Sequence, residues 1–542
     1  MPIIIRNLTL PLDESEELLP SLAAKRMRIE PQNIRHWAVV KRAVDARRGQ
    51  VEFVYQIEVV LEGGVSDEQR CMRQLRKQDV AWIEPEEDKP IVYGKESLPE
   101  RPVVVGFGPA GMFAALRLAE HGYRPIVLER GRDVRRRHHD VMVSYYKDRQ
   151  FDPTSNLLFG EGGAGTYSDG KLYTRRNDAL CGDVLKKLFQ FGADPDILIN
   201  TRPHIGSDKL PTICTQLRKS IESLGGEVRF EQQVADFSVN DNVLTSIDVQ
   251  EGSVALPKTM RVGPVILGIG HSARDTIIML ASRGVQIETK PFQIGVRIEH
   301  PQAMVDQWQF GASAGHQRLG AAEYHLVSKQ AAGEHGDMFS FCMCPGGIIL
   351  PSNESPGLIA TNGASRAHRS SLYANAGLVI TLDPAKMGMG PMEGLAYQRK
   401  WEEKAFKLTR SSYRVPVQRA TDFLDKCDSQ GTLETTFPLG GEWADIRATI
   451  PTAVSDALEQ ALPNMEKKMP GFAGENALIT APETRASTPI RIPRDPQTRE
   501  AVETAGLYPV GEGAGYAGGI ISAAVDGIRS ADQIMARYAR PR

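Results

Sequence analysis

The pattern of apolar and polar positions changes twice along the chain. Ile3 to Leu10 reads as a strand and Glu16 to Arg28 as an amphipathic helix. His36 to Val44 and Val51 to Leu61 read as two strands around the turn-like Arg47-Arg48-Gly49. A second helix is predicted over Asp67 to Lys77, before the acidic stretch Glu84-Pro85-Glu86-Glu87-Asp88. This order predicts a small ferredoxin-like α+β domain over residues 1–98. No chemistry is written in it.

From Arg101 short apolar strands end in glycine turns that open helices, an α/β pattern assigned to residues 99–289. Residues 290–474 mix strand-like runs, glycine–proline loops and a helix at Pro391 to Leu408, and read as an inserted α+β domain. Residues 475–542 return to strand, glycine turn and helix, which predicts that they rejoin the first α/β unit. The chain has 542 residues, enough for three to four folding units. Lys plus Arg number 65 against 67 Asp plus Glu, so no global field draws it to nucleic acid or an anionic membrane. No unbroken apolar run reaches the length of a membrane helix, and the start lacks secretory-signal features. Six scattered cysteines show neither disulfide nor zinc spacing. A cytoplasmic protein without a metal site is the expectation.

The chemistry lies in clustered glycines. Val103-Val104-Val105 is followed by Gly106-Phe107-Gly108-Pro109-Ala110-Gly111, a helix, and a strand ending at Glu129-Arg130. Gly106 permits the tight turn, Gly108 lets backbone approach a pyrophosphate, and Gly111 lets helix and strand pack closely. The helix start offers unpaired N–H groups to phosphate, and Glu129 can accept from ribose hydroxyls. A dinucleotide site is expected. A second cluster runs Gly160-Glu161-Gly162-Gly163-Ala164-Gly165-Thr166, then Tyr167-Ser168-Asp169-Gly170-Lys171. A third follows the strand Leu507 to Val510 as Gly511-Glu512-Gly513-Ala514-Gly515, with Gly518-Gly519-Ile520 opening the last helix.

The third cluster resembles the late strand of FAD-binding proteins of the glutathione-reductase structural type. The resemblance implies that Glu512 holds a ribityl hydroxyl and that the helix start faces the flavin. Together with Val265 to Gly268, HSARDT from His271, FSFCMCPGG from Phe339 and APETRASTPIRIPRD from Ala481, the motifs resemble a bacterial family of FAD-dependent dehydrogenases with an extra N-terminal α+β domain. That implies a Rossmann-like FAD-binding domain carrying an inserted substrate or cap domain. It implies FAD as cofactor and a backbone contact from Val234 to adenine. Gly268-Ile269-Gly270 after Val265-Ile266-Leu267 could form a separate NAD(P)H fingerprint, but is read as a later strand of the FAD domain; NAD(P)H stays open as a transient donor.

His271, His204, Lys209 and His300 are the candidate catalytic residues, with Arg274 and Arg297 as further acid–base or anion-binding groups. Cys342 and Cys344 read as two small buried residues, against a flavin-coupled dithiol. Arg485, Arg491 and Arg494 could meet phosphate, a substrate carboxylate or only water, and the basic run Arg132 to His139 reads as a solvated helix face. Met387 to Gly390 is a loop that could flex over a pocket. The function expected is an FAD-dependent oxidoreductase acting on a small molecule. A flavoprotein that binds or modifies RNA through residues 1–98 ranks second, and a non-catalytic flavin sensor third.

Overall fold

A computed structural model describes residues 2–47, 49–76, 78–82, 91–174, 178–252, 254 and 256–541. Arg48, Lys77 and the acidic stretch 84–88 lie outside the described residues. Five short strands form a parallel sheet in the order Leu507–Pro509, Val265–Leu267, Val103–Val105, Ile126–Leu128 and Glu227–Arg229. The four apolar strands are buried because the sheet is covered on both faces, so their sequences run apolar without alternation. Val104, Val127 and Ile266 point to the layer built by the helices Pro109–Glu120 and Ile520–Arg537. Their neighbours Val103, Val105, Ile126 and Leu128 point to the other layer. That layer holds the antiparallel meander Gln232–Asn240, Val243–Glu251 and Lys258–Arg261, together with the helix Arg274–Ser282.

Strand order reverses between Val103–Val105 and Val265–Leu267. The chain first adds strands on one side of the fingerprint strand, then returns to add them on the other. Such a reversal leaves a crevice beyond the carboxyl ends of the two strands, where open α/β sheets bind ligands. Gly268 therefore sits in the same sheet as the fingerprint, as the reading of a single nucleotide domain requires.

A second sheet of seven strands runs in the order Val327–Ser328, Met338–Cys344, Tyr373–Leu382, Phe292–Pro301, Leu478–Glu483, Val415–Arg419 and Gly441–Trp443. Leu478–Glu483 pairs with Phe292–Pro301, so this unit extends beyond the boundary expected at residue 474. The chain rejoins the parallel sheet only at Leu507. Apolar periodicity could not reveal this, because a buried strand reads alike in either sheet. Arg297, fully buried in this sheet, donates from Nε and Nη2 to Glu483 at 2.9 and 3.1 Å, and from Nη1 to Asn375 Oδ1 at 2.6 Å. It is neither a surface pair nor open to a substrate, as the sequence reading allowed. Glu299 shares its face and accepts from Thr435 and Thr436.

Residues 3–82 build an antiparallel sheet in the order Ile34–Asp45, Glu52–Leu61, Ile3–Pro11 and Val80–Trp82, with helices Leu19–Met27 and Gly64–Gln74. Arg26, Arg42 and Arg47 of this unit face Asp79, Glu16 with Asp196, and Asp45. Among the described residues no helix is long and apolar enough to cross a membrane.

Removing one member of a buried ion pair strands the other charge. Glu483→Leu is expected to destabilise the seven-stranded unit by about 3–5 kcal/mol, and the double change Arg297→Met/Glu483→Leu by much less. Urea unfolding followed by tryptophan fluorescence checks the difference.

Candidate functional site

Three glycine turns meet at the crevice. Gly106 has φ +92°, and a Cβ there would lie 2.4 Å from Gly268 O, so only glycine brings the two strand ends together. At Gly111 a Cβ would lie 2.0 Å from Gly106 O. Gly108 differs: its backbone is in an ordinary extended conformation, and a Cβ would meet only Gly163 Cα at 3.9 Å. The fold itself does not demand glycine at Gly108; a group lying against the backbone does. Pro109 begins the helix, which has no side-chain cap.

The crevice is a cleft of about 300 Å³. Its walls come from Gly106 to Ala110, Gly163 to Gly165, Ser168 to Lys171, Gly268 to Ser272, Val510 to Glu512 and Ala517 to Ile520. A hollow of about 30 Å³ shares Gly106, Glu129, Phe159 and Ile269 with it and is completed by Arg130, Gln232 and Val234. Arg130 lies over the Phe159 ring at 4.4 Å and donates to Asp275 and Thr276. Glu129, nearly fully buried, accepts from the N–H groups of Phe107 at 2.8 Å, and of Gly131 and Gly160 at 2.9 Å. A carboxylate has about four lone-pair positions, so capacity for one more donor remains.

At the other end, Gly511 has φ +73° and its N–H donates to Asp526 Oδ2 at 2.8 Å, from the last helix. Glu512 accepts from Thr488 N at 3.0 Å; burial raises its pKa, opposed by Lys290 and that N–H. The start of Ile520–Arg537 opens onto the cleft. Opposite it stand Phe341, Cys342, Asn362, Arg485 and Ala486 from the seven-stranded unit and its edge.

His271 lines this cleft. Its Nδ1 lies 2.7 Å from Ser272 Oγ, which accepts from Arg485 Nη1 at 3.0 Å. The hydroxyl proton is then free for Nδ1, which assigns the ring proton to Nε2. Burial, with Arg485 and Arg274 close by, lowers the His271 pKa to about 3, so the ring is neutral. Arg485 and Arg274 share Glu402 and Glu354 in a buried cluster of two cations and two carboxylates. They are occupied there, although Arg274 was expected as an acid–base group and Arg485 as a contact for phosphate, a carboxylate or water.

Several sequence candidates fall elsewhere. His204 Nε2 donates to Ala367 O, 3.1 Å away, and His204 does not line the cleft. Lys209 is exposed just before the helix Leu210–Ser223. His300 is buried among Phe472, Trp308 and Tyr324, with Nε2 2.8 Å from Phe472 O. These polar residues sit near glycine turns or in strands, signals that do not report facing. Gly162 and Thr166 close the loop on itself: a Cβ at Gly162 would collide with Thr166 Oγ1, which donates to Glu161 O at 2.6 Å. Arg494 holds Pro509 O and Asp526, while Arg491 stacks near Tyr516. Met387 packs against the core of the seven-stranded unit. Arg137, expected on a solvated face, is fully buried and donates to Asn156 O, Glu161 O and Gly163 O at 2.7, 2.7 and 2.8 Å. Nothing in the basic run distinguished it. Asn362 and the apolar Leu158 and Phe159 were also missed, since no motif marks them.

The open face at Gly108, the spare acceptor on Glu129 and the hollow at Val234 fit a dinucleotide lying along the cleft. Gly106, Gly108, Pro109, Ala110 and Gly111 would hold its pyrophosphate, Glu129 a ribose, and Gly511 to Ile520 the flavin end. Residues 291–486 match the family described as FAD-dependent protein, C-terminal domain-like. Residues 1–60 match a domain of unknown function. An uncharacterized protein of Clostridium beijerinckii is 38% identical over 546 residues, covering 100% of both chains. Among solved structures, the flavin-dependent brominase Bmp2 is 12% identical, covering 81% of this chain and 80% of its own, at a TM-score of 0.39. Glycine oxidase from Geobacillus kaustophilus is 10% identical, covering 81% and 95%, at a TM-score of 0.35. Likeness at that level establishes neither fold nor reaction.

Gly108→Ala is expected to leave the melting temperature nearly unchanged while weakening FAD retention by roughly ten-fold or more, because its methyl group enters the cleft rather than the core. Gly111→Ala should lower the melting temperature itself. Equilibrium dialysis and differential scanning fluorimetry separate the two. Buried His300 and half-buried His271 also set an acid limit. Burial lowers His300 to about 4 and His271 to about 3, against an ordinary value of 6.5. The unfolded chain therefore binds more protons below pH 6.5, and stability falls as pH drops through that window, by about 1.4 kcal/mol per unit per histidine. Replacing His300 by Phe should flatten the profile of melting temperature against pH between about 6 and 4.

Proposed function

The chain belongs to one family with the Clostridium beijerinckii protein, and on that footing we propose that it is an FAD-dependent oxidoreductase of glutathione-reductase type acting on a small molecule. One observation carries this reading. Glycine turns around residues 106, 165, 268 and 515, far apart in sequence, converge on a single cleft, and Gly108 there lacks a side chain that the fold would tolerate. The matched FAD-dependent C-terminal segment supports the choice of cofactor.

FAD, when bound, supplies two-electron redox chemistry at its ring, and the protein positions its partners. The uncapped start of Pro109–Glu120 meets negative phosphate with free N–H groups. The start of Ile520–Arg537 presents its positive dipole end to negative charge at the far end of the cleft. Neutral His271 offers an Nε2–H to a substrate oxygen, and its depressed pKa keeps that donor available and uncharged across physiological pH. Leu158, Phe159 and Phe341 supply apolar walls that exclude water. The family resemblance supports a dehydrogenase reaction on a small molecule that it does not identify; NAD(P)H stays open as a transient donor, and the sparse cysteines support a cytoplasmic setting.

Purified protein is expected to be yellow and, on denaturation, to release FAD in a ratio near one per chain. Liquid chromatography with mass detection of the released flavin checks this. A colourless preparation that takes up no FAD when supplied removes the proposal. His271→Ala should keep the flavin and lower its rate of reduction by substrate about 10²–10³-fold, as loss of a positioned donor does.

A further inference from the structure

Phe341 and Cys342 are consecutive in the strand Met338–Cys344, yet both line the cleft. A regular strand sends neighbours to opposite faces. Pairing with Tyr373–Leu382 jumps from Phe341↔Gly377 to Cys344↔Asn375, three steps on one strand against two on the other. That is a bulge, and Cys342 occupies it with φ +41°, a conformation a residue with a side chain rarely adopts. Such strain, held at the wall of a cleft, re-aims one side chain.

The sulfur it re-aims meets an ammonium. Lys171 Nζ lies 3.9 Å from Cys342 Sγ, 3.6 Å from Cys344 Sγ and 2.5 Å from Asp169 Oδ2. Its three protons thus have three acceptors. Cys344 Sγ donates to Cys342 O at 3.3 Å. Among the described residues Cys342 Sγ has no such acceptor and only receives, which is the pattern of a thiolate. We propose that Cys342 is a nucleophilic site: a thiolate set on the bulge, held by Lys171, that bonds uncharged carbon electrophiles entering the cleft.

The surrounding charges support this. Lys171, Arg297 and the Cys344 thiol favour the anion; burial and Asp169 oppose it, with Glu483 and Tyr173 also close. The Cys344 thiol leads, its single proton shared between Cys342 O and Cys342 Sγ, and the Cys342 pKa falls well below the ordinary thiol value. Asp169 and Glu483 offset the two cations, so no net positive charge selects an anionic reagent. In the bonding step the sulfur pair forms the S–C bond, while the leaving group departs with the pair of the bond that breaks. No proton moves and no oxidant is needed. The site goes beyond the flavin reading and does not require it.

The test uses the protein as purified and again after adding FAD. Ultraviolet thiolate absorbance is compared between the natural chain and Cys342→Ser, and iodoacetamide labelling is followed by peptide mass spectrometry with exposed Cys427 as reference. The expected result at about pH 7 is an absorbance excess lost in Cys342→Ser, and labelling of Cys342 roughly ten-fold faster than Cys427. Lys171→Met should abolish both, and Lys171→Arg should restore them. No absorbance difference at that pH, or labelling no faster than Cys427, overturns the proposal. Unchanged behaviour in a folded Lys171→Met overturns the part given to Lys171. Neither absorbance nor labelling needs flavin, so failure of the flavin reading would be seen separately, as colourless protein.

Discussion

The backbone contact between Gly106 and Gly268 fixes the rest of the molecule. At that point two strand ends that are more than 160 positions apart in sequence come within a spacing that admits no Cβ. Their approach places the strand reversal, and hence the cleft, between Val103–Val105 and Val265–Leu267. Glu129 then ties the turns from inside, spending three of its lone pairs on backbone donors. Arg137 performs the matching task from the other side by collecting three loop carbonyls. A loop rich in glycine keeps one shape because two buried charged groups satisfy its backbone.

Much of this was legible from local pattern. Apolar runs followed by glycine turns located three strands of the parallel sheet and the strand ending at Glu129 a fourth, and the turn chemistry located its cleft. His271 was found by the same logic, since groups just beyond a strand end gather at a reversal point. What escaped was everything decided by facing across distant elements. Leu478–Glu483 is apolar in the way any central strand is, so its true partner was hidden. His300 and His271 look equivalent as letters, yet one fills an aromatic core and the other faces the cleft. Arg137 sits among five basic neighbours, and only tertiary burial singles it out.

Charge in this protein is concentrated where the two sheets meet. Arg274, Arg485, Glu354 and Glu402 form a closed set between the helix Arg274–Ser282, the helix Pro391–Leu408 and the end of Leu478–Glu483. Such a set contributes little net stability compared with apolar packing, but it tolerates few alternative arrangements. Through Ser272 it also fixes the tautomer of His271, so the joint between the units and the cleft share one hydrogen-bonded chain.

The edge strand Leu507–Pro509 and the helix Ile520–Arg537 are made long after Val103, although they complete the sheet begun there. A ribosome working at about 5–20 residues per second needs roughly 20–80 s to travel between them. During that interval the nascent sheet keeps an unpaired border along Val265–Leu267, and the pocket has no third wall. Completion of the cleft is thereby deferred until that strand and helix have emerged, and until then the border of the sheet stays open to pairing with another chain.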